Sequence, residues 1–315
     1  MASSPPDDRS QRDGLPISVC VPTTRQDIVG ATIKAIRRQT WSDWELIVVG
    51  QGAHEAIQAA VFEAADGDAR VRYVPLPGRG LSMARNAGMA NAAGAVVAFT
   101  DDDCEPQPEW LSSIAHAFVS DCRIGVVGGA VLTPTTLGPL VTCPTVSPAE
   151  AVYDPATNPR RPPDGWDWIG ANFAIRRPVA TELGQFDECL GAGADFPAAE
   201  DTDYKLRLEA AGVRMLSTPK AAVVHTYGVR RGLSAVLNSQ RNYATGNGGM
   251  AAKLTLQGDS RGEAWLAATR VECLRELRGA PHRGVRGLRR LHYFSAAYKQ
   301  CLREFRVVGG LLNRI

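Results

Sequence analysis

Ala95-Val96-Val97-Ala98-Phe99-Thr100-Asp101-Asp102-Asp103-Cys104 sets three consecutive carboxylates directly after a short apolar run. The run follows Gly94 and has the length and composition of a buried strand. Ligands of open α/β sheets bind beyond the carboxyl ends of the strands. Carboxylates crowded at such a point repel one another. A Mg²⁺ or Mn²⁺ ion shared with a substrate phosphate would relieve that repulsion, because both ions take oxygen ligands. Taken alone, the triplet fits a solvated acidic turn equally well.

The neighbouring sequence places this strand in a repeating pattern. Ile17–Val21 predicts a first strand ended by Pro22, and Glu45–Val49 a second whose apolar character suits a sheet covered on both faces. Val71–Val74 predicts a third strand and Ala95–Phe99 the fourth. Helices are expected over Ile28–Gln39, His54–Ala65 and Leu81–Ala92. This β-α alternation predicts a Rossmann-like parallel sheet with right-handed crossovers. Further on, helices are expected over Trp110–Val119 and Asp201–Ala211, the latter closed by Gly212. Strands are expected over Gly125–Leu132, Trp168–Arg176, Val213–Leu216 and Ala221–His225. Thr133–Pro163 reads as a long mobile loop, its Pro134–Arg161 part able to form a lid. From Leu233 the chain reads as helical, broken at Gly246–Gly249 and near Gly279–Gly284.

Composition narrows the class. The chain has 315 residues, 44% hydrophobic and 22% charged, as in an ordinary soluble globular protein. No stretch approaches the roughly 18 apolar residues of a membrane span. Residues 1–16 are polar, lack the pattern of a signal peptide and predict a disordered tail. Seven cysteines occur singly, with no CxxC pair. That pattern argues against a disulfide framework or zinc ribbon and for reduced thiols in the cytoplasm. The net charge of +2 hides an asymmetry, since residues 261–315 carry 12 Arg/Lys against 4 Asp/Glu. The basic C-terminal segment mixes arginines with Leu288, Tyr293, Phe294, Tyr298 and Phe305. Such helices suit a contact with an anionic membrane surface, a dimer face or packing on the body of the protein, with no nucleic-acid role.

Five segments carry a resemblance: Val21-Pro22-Thr23, Gly80-Leu81-Ser82-Met83-Ala84-Arg85-Asn86-Ala87-Gly88, Thr100-Asp101-Asp102-Asp103, Ala199-Glu200-Asp201-Thr202-Asp203, and His225. Their order and spacing resemble an inverting family 2 glycosyltransferase, over about Ile17 to Arg230. The resemblance implies an α/β GT-A-type fold: a Rossmann-like nucleotide-sugar-binding domain with a central mixed, mostly parallel sheet and a helical C-terminal extension. The expected domains are a nucleotide-binding half at 17–103, an acceptor half at 104–231 and a basic extension at 232–315. The implied reaction moves a sugar from a nucleoside-diphosphate sugar, UDP favoured, to an acceptor hydroxyl of unknown identity. The implied location is cytoplasmic, at most peripheral to the inner face of a membrane.

The resemblance also assigns roles. Asp101 and Asp103 match the family's Asp-x-Asp, which binds Mn²⁺ or Mg²⁺ and the donor ribose; Asp102 is grouped with the donor contacts. His225 falls where some members place a metal-binding histidine. Asp201 matches the general base, as single displacement needs a carboxylate to accept the hydroxyl proton. Pro22, Thr23, Arg25 and Arg85 match donor contacts, and Arg230 and Arg231 suit a diphosphate. Trp168, Gly170, Asn172 and Glu200 are expected on the acceptor side, with tryptophan offering a sugar-binding face. One departure stands out. The family's acidic base-reading segment is replaced by Val49-Gly50-Gln51-Gly52, so Gly50 has no side chain to read uracil and Gln51 offers an amide instead. The competing readings are a sugar-nucleotide pyrophosphorylase, whose Gly-rich signature is missing after the first strand, and a non-catalytic binding module.

Overall fold

Ile17, Val19 and Val21 of strand β1 (Ile17–Thr23) sit in one apolar cluster, while Cys20 sits in another. Successive strand side chains point to opposite faces, so this strand is covered on both sides. The computed structural model describes residues 14–279 and 281–315. The expected N-terminal tail lies, through residue 13, outside the described residues.

The first half continues with α1 (Val29–Arg37), β2 (Trp44–Gln51), α2 (His54–Ala65), β3 (Val71–Leu76), α3 (Leu81–Asn91) and β4 (Val96–Thr100). It is the alternation expected, and β1, β2, β3 and β4 pair in parallel. Next come β5 (Glu105–Pro106), α4 (Trp110–Ser120), β6 (Ile124–Leu132), β7 (Val141–Thr142), β8 (Ala151–Tyr153), β9 (Asn172–Arg176), α5 (Arg177–Leu183), α6 (Glu200–Ala210), β10 (Arg214–Val224) and β11 (Arg230–Arg231). The sheet has nine strands, ordered β3-β2-β1-β4-β9-β6-β10-β5 with β8 beside β10. Strand β9 runs antiparallel between β4 and β6, yet most strands share one direction. Helices α1, α2 and α4 cover one face; α3 and α6 cover the other.

Four expectations are corrected. The strand expected at Trp168–Arg176 starts only at Asn172, because Trp168–Ala171 folds as a loop toward α6. The two strands expected over 213–225 are one, β10, whose pairing with β6 slips between Thr218 and Ala222. The loop expected over Thr133–Pro163 is pinned by β7, by β8 and by a bridge between Val131 and Val146. The break expected at Gly246–Gly249 is absent, since α7 (Leu233–Leu256) passes straight through it. A Cβ on Gly246, Gly248 or Gly249 would lie 2.3–2.5 Å from Ala198, Phe294 or Phe196. Those glycines serve close packing rather than chain breaking.

Helix α8 (Arg261–Leu277), helix α9 (Pro281–Glu304) and a hairpin of β12 (Phe305–Val308) with β13 (Leu311–Arg314) complete the chain. A third apolar cluster joins α7, α9 and the hairpin to Leu190, Phe196 and Ala199, just before α6. Lys253 is fully buried on α7 and pairs with Asp187 at 2.7 Å and with Asp203 of α6 at 2.5 Å. The C-terminal helices are thus packed and ion-paired onto the segment carrying Glu200 and Asp201.

Candidate active site

Strands β1, β2 and β4 end on the rim of a cleft of about 720 Å³, where the sheet order turns from β1 to β4. This is the crevice that open α/β sheets offer ligands. Each acid of the triplet has a different partner. Asp101 faces Arg85, with Oδ1 3.3 Å from Nη2. Asp102 accepts from Thr23 Oγ1 at 2.6 Å and is paired with Arg25, which also donates to Asp103 at 3.0 Å. Asp103 Oδ1 lies 2.9 Å from His225 Nε2. From α1, Thr32 Oγ1 lies 2.8 and 2.7 Å from the carbonyls of Asp102 and Cys104, which holds the turn itself.

The electrostatics follow from these partners. Burial pushes the Asp103 carboxyl up, but the bond and charge of His225 and then Arg25 outweigh it and hold it at about 2. Burial pushes the His225 imidazole down, and Asp103 more than reverses that. At Asp101 burial wins over Arg85, and its pKa is raised.

Arg85 is 1% exposed and organises the far wall. Its Nη1 donates to Glu200 Oε1 at 2.9 Å and its Nη2 to the Gly170 carbonyl at 2.8 Å. The Gly170 amide in turn donates to Asp201 Oδ2 at 2.8 Å. A Cβ at Gly170 would stand 2.9 Å from Arg85 Nη2 and 3.2 Å from the Asp201 Cβ, so this close approach requires glycine. Burial first, then the Asp201 charge, raises the Glu200 carboxyl to about 7 against the opposing pull of Arg85.

Most of the expected residues share the cleft: Pro22, Thr23, Arg25, Gln51, Arg85, Asp101, Asp102, Asp103, Gly170, Glu200, Asp201, His225 and Arg230. Trp168 and Asn172, expected on the acceptor side, do not line it. Trp168 is fully buried over Gly128 and stacks on Phe173 at 4.8 Å. Asn172 is spent on structure, accepting from Trp110 and donating to the carbonyls of Ala130 and Ala221. Arg231 is exposed and outside the lining, whereas Arg230 donates to Ser239 at 2.8 Å. At the base-reading position, a Cβ on Gly50 would stand 2.4 Å from the Tyr73 ring, which fills that space. Gln51 donates to the Gly80 carbonyl at 3.2 Å.

The cleft also takes residues that the sequence did not single out: Arg79, and Asn238, Asn242 and Tyr243 of α7. No motif marks them; α7 packs closely beside the cleft through Gly246 and Gly249. Among the described residues, one group is arranged to ligate a metal ion: Asp103, Cys104 and His225, with donor atoms within 4.8 Å of one another. It shares Asp103 and His225 with the expected set and has Cys104 in place of Asp101. Burial and the neighbouring Asp101 and Asp103 raise the Cys104 thiol well above its ordinary pKa. His225 Nδ1 lies 3.0 Å from the Pro144 carbonyl, which orients the ring with Nε2 toward Asp103. A carboxylate beside an oriented imidazole suits Mn²⁺, and further carboxylates lie within the same turn.

Residues 18–184 match the family described as "Glycosyl transferase family 2". The chain belongs to that family. This glycosyltransferase is 25% identical over 220 residues to the glucosyl-dolichyl phosphate glucuronosyltransferase of Haloferax volcanii, covering 67% of this chain and 69% of the relative. Among solved structures it resembles the mannosyltransferase PcManGT of Pyrobaculum calidifontis in complex with GDP-Man and Mn²⁺. The TM-score is 0.56 at 18% identity, covering 91% of this chain and 87% of that one. It also resembles S. aureus TarS residues 1–349 in complex with UDP-GlcNAc, with a TM-score of 0.55 at 16% identity, covering 96% and 97%. These neighbours share with the glycosyltransferase a GT-A-type fold. The family assignment sets aside the pyrophosphorylase and binding-module alternatives.

Proposed function

We propose that this enzyme is a metal-dependent, inverting glycosyltransferase that moves a hexosyl group from a nucleoside-diphosphate sugar to an acceptor hydroxyl. The observation that carries the reading is one cleft bounded by the Asp103–His225 pair, by Arg25 and Arg230, and by Asp201. Asp103 and His225, with Asp101, would hold Mn²⁺ or Mg²⁺, which when bound supplies positive charge against the diphosphate leaving group. Arg25 and Arg230 add guanidinium charge for the same phosphates. Asp201 accepts the proton of the acceptor hydroxyl as its oxygen bonds to the anomeric carbon, while the bond from that carbon to the diphosphate breaks. The Gly170 amide and Arg85 hold Asp201 and Glu200 in place. The catalytic unit spans residues 17–231, and the start of α7, from Ala235 to Tyr243, completes its cleft.

The donor base is the open choice. The structural neighbours were solved with GDP-Man and with UDP-GlcNAc. UDP-sugars remain the first donors to test, although Tyr73 fills the place where an acidic side chain would meet uracil. Titration calorimetry of UDP and GDP, with and without Mn²⁺, identifies the base. In the Asp201→Asn variant, transfer should fall by about a hundredfold or more while Mn²⁺-dependent nucleotide affinity stays within about threefold. Parallel loss of binding and turnover would refute Asp201 as the base.

A further inference from the structure

A second cavity, of about 460 Å³, lies between α7, α8 and α9. Its charged lining is Arg241 from α7, Glu272 from α8, and Arg286, Arg289 and Arg290 from α9. Positions 286, 289, 290 and 293 share one face of a helix, so the three arginines of α9 and Tyr293 reach the same hollow. Trp265 supplies an aromatic wall opposite them. Two of the arginines are neutralised: Arg286 pairs with Glu276 at 3.1 Å, and Arg290 pairs with Glu272 at 3.1 Å and with Glu276 at 3.6 Å. Arg289 lies over the Tyr293 ring at 5.8 Å. Among the described residues, Arg241 and Arg289 have no carboxylate partner, so the hollow holds two guanidinium charges in excess.

Tyr243 lines both this hollow and the catalytic cleft. Its neighbour on α7, Asn242, lines the cleft together with Glu200 and Asp201. The hollow therefore adjoins the side of the cleft where, on the reading above, the acceptor loses its proton. On that reading the donor diphosphate is served by Arg25 and by Arg230, and Arg230 also lies beside Tyr243.

We propose that this hollow binds a phosphate ester carried by the acceptor. Two uncompensated guanidinium groups match the charge of a phosphate monoester, and planar forks fit phosphate oxygens in pairs. Trp265 and Tyr293 cover the group attached to that phosphate. The inference rests on the glycosyl-transfer reading for the side it assigns to the acceptor, but the site can be tested without turnover.

The full-length protein is titrated with inorganic phosphate, glucose 1-phosphate and citronellyl phosphate, and Trp265 fluorescence is followed, with Trp265→Phe identifying the signal. Saturable binding is expected, weakened at least tenfold in Arg241→Gln/Arg289→Gln, while Mn²⁺-dependent nucleotide affinity stays within twofold. Tighter binding of citronellyl phosphate assigns the ester to a lipid, and tighter binding of glucose 1-phosphate assigns it to a soluble sugar. A Trp265 signal that no phosphate produces, or an affinity indifferent to the two Gln substitutions, overturns the proposal. If Asp201→Asn leaves transfer intact while phosphate binding behaves as expected, the base assignment fails and this site stands.

Discussion

Gly50 and Tyr73 form a pair that neither residue announces alone. Strands β2 and β3 pair Tyr73 with Val48 and Gly50 with Pro75, which makes Gly50 and Tyr73 diagonal neighbours on one face, and the Tyr73 ring occupies the volume a Gly50 side chain would need. The Tyr73 hydroxyl, 3.3 Å from His54 Nδ1, holds the ring there. Gly50→Ala is therefore an overpacking change and should lower stability by about 1–3 kcal/mol. Gly50→Ala/Tyr73→Ala should lose clearly less than the sum of the single changes, because removing the ring removes the clash. Additive losses in urea denaturation would show that the two side chains do not compete. At this scale the sequence was legible where a residue's chemistry has few alternatives. The acids of the triplet, Arg85 and Asp201 all reach the cleft. Trp168 misled, because an indole suits a core as well as a sugar face, and only Gly128 beneath it decides which.

Helix α6 begins under constraint. Ala199, at its N-terminus, has φ 71°, a left-handed conformation that costs an alanine roughly 1–2 kcal/mol. The next residue, Glu200, is buried with its pKa at about 7, against an ordinary 4.5. A carboxyl whose pKa rises on folding binds its proton more tightly in the native state. Its contribution is therefore most favourable below pH 4.5 and is lost as pH climbs to about 7, levelling off above. Glu200→Gln should flatten stability against pH over that window, measured by urea denaturation at half-unit steps; an unchanged slope would assign it to other groups. Elements were legible in the first half, where β-α alternation repeats and apolar runs are short. They were less legible where one rule competed with another. Glycines that break isolated helices instead let α7 approach Phe196 and Phe294, and a strand slip joined two runs into β10.

Over the whole molecule, the feature least visible in the sequence is how the C-terminal helices join the α/β sheet domain. Lys253 lies 50 positions after Asp203 and 66 after Asp187, and no local pattern relates them. Removing one partner from a buried ion pair leaves uncompensated charge and costs about 3–5 kcal/mol. Lys253→Met should lose that much in chemical denaturation and also lower turnover, because Asp203 stands two residues after Asp201. A loss under about 1 kcal/mol would show that the node is hydrated and carries little. The same node has a consequence for the order in which the protein is made. The carboxylate of Asp187 also accepts the backbone N–H of Leu312, 125 positions later, at 2.8 Å. While the ribosome adds those residues, Asp187 and Asp203 have neither their lysine nor that amide, and their charge keeps them in water. Strands β1–β4 are complete long before then, and Arg85 and the Gly170 amide already meet the start of α6, but the buried node on Asp187 and Asp203 closes only afterwards. The last polar ties between α6 and α7 therefore form after the strands of the sheet's first half have emerged.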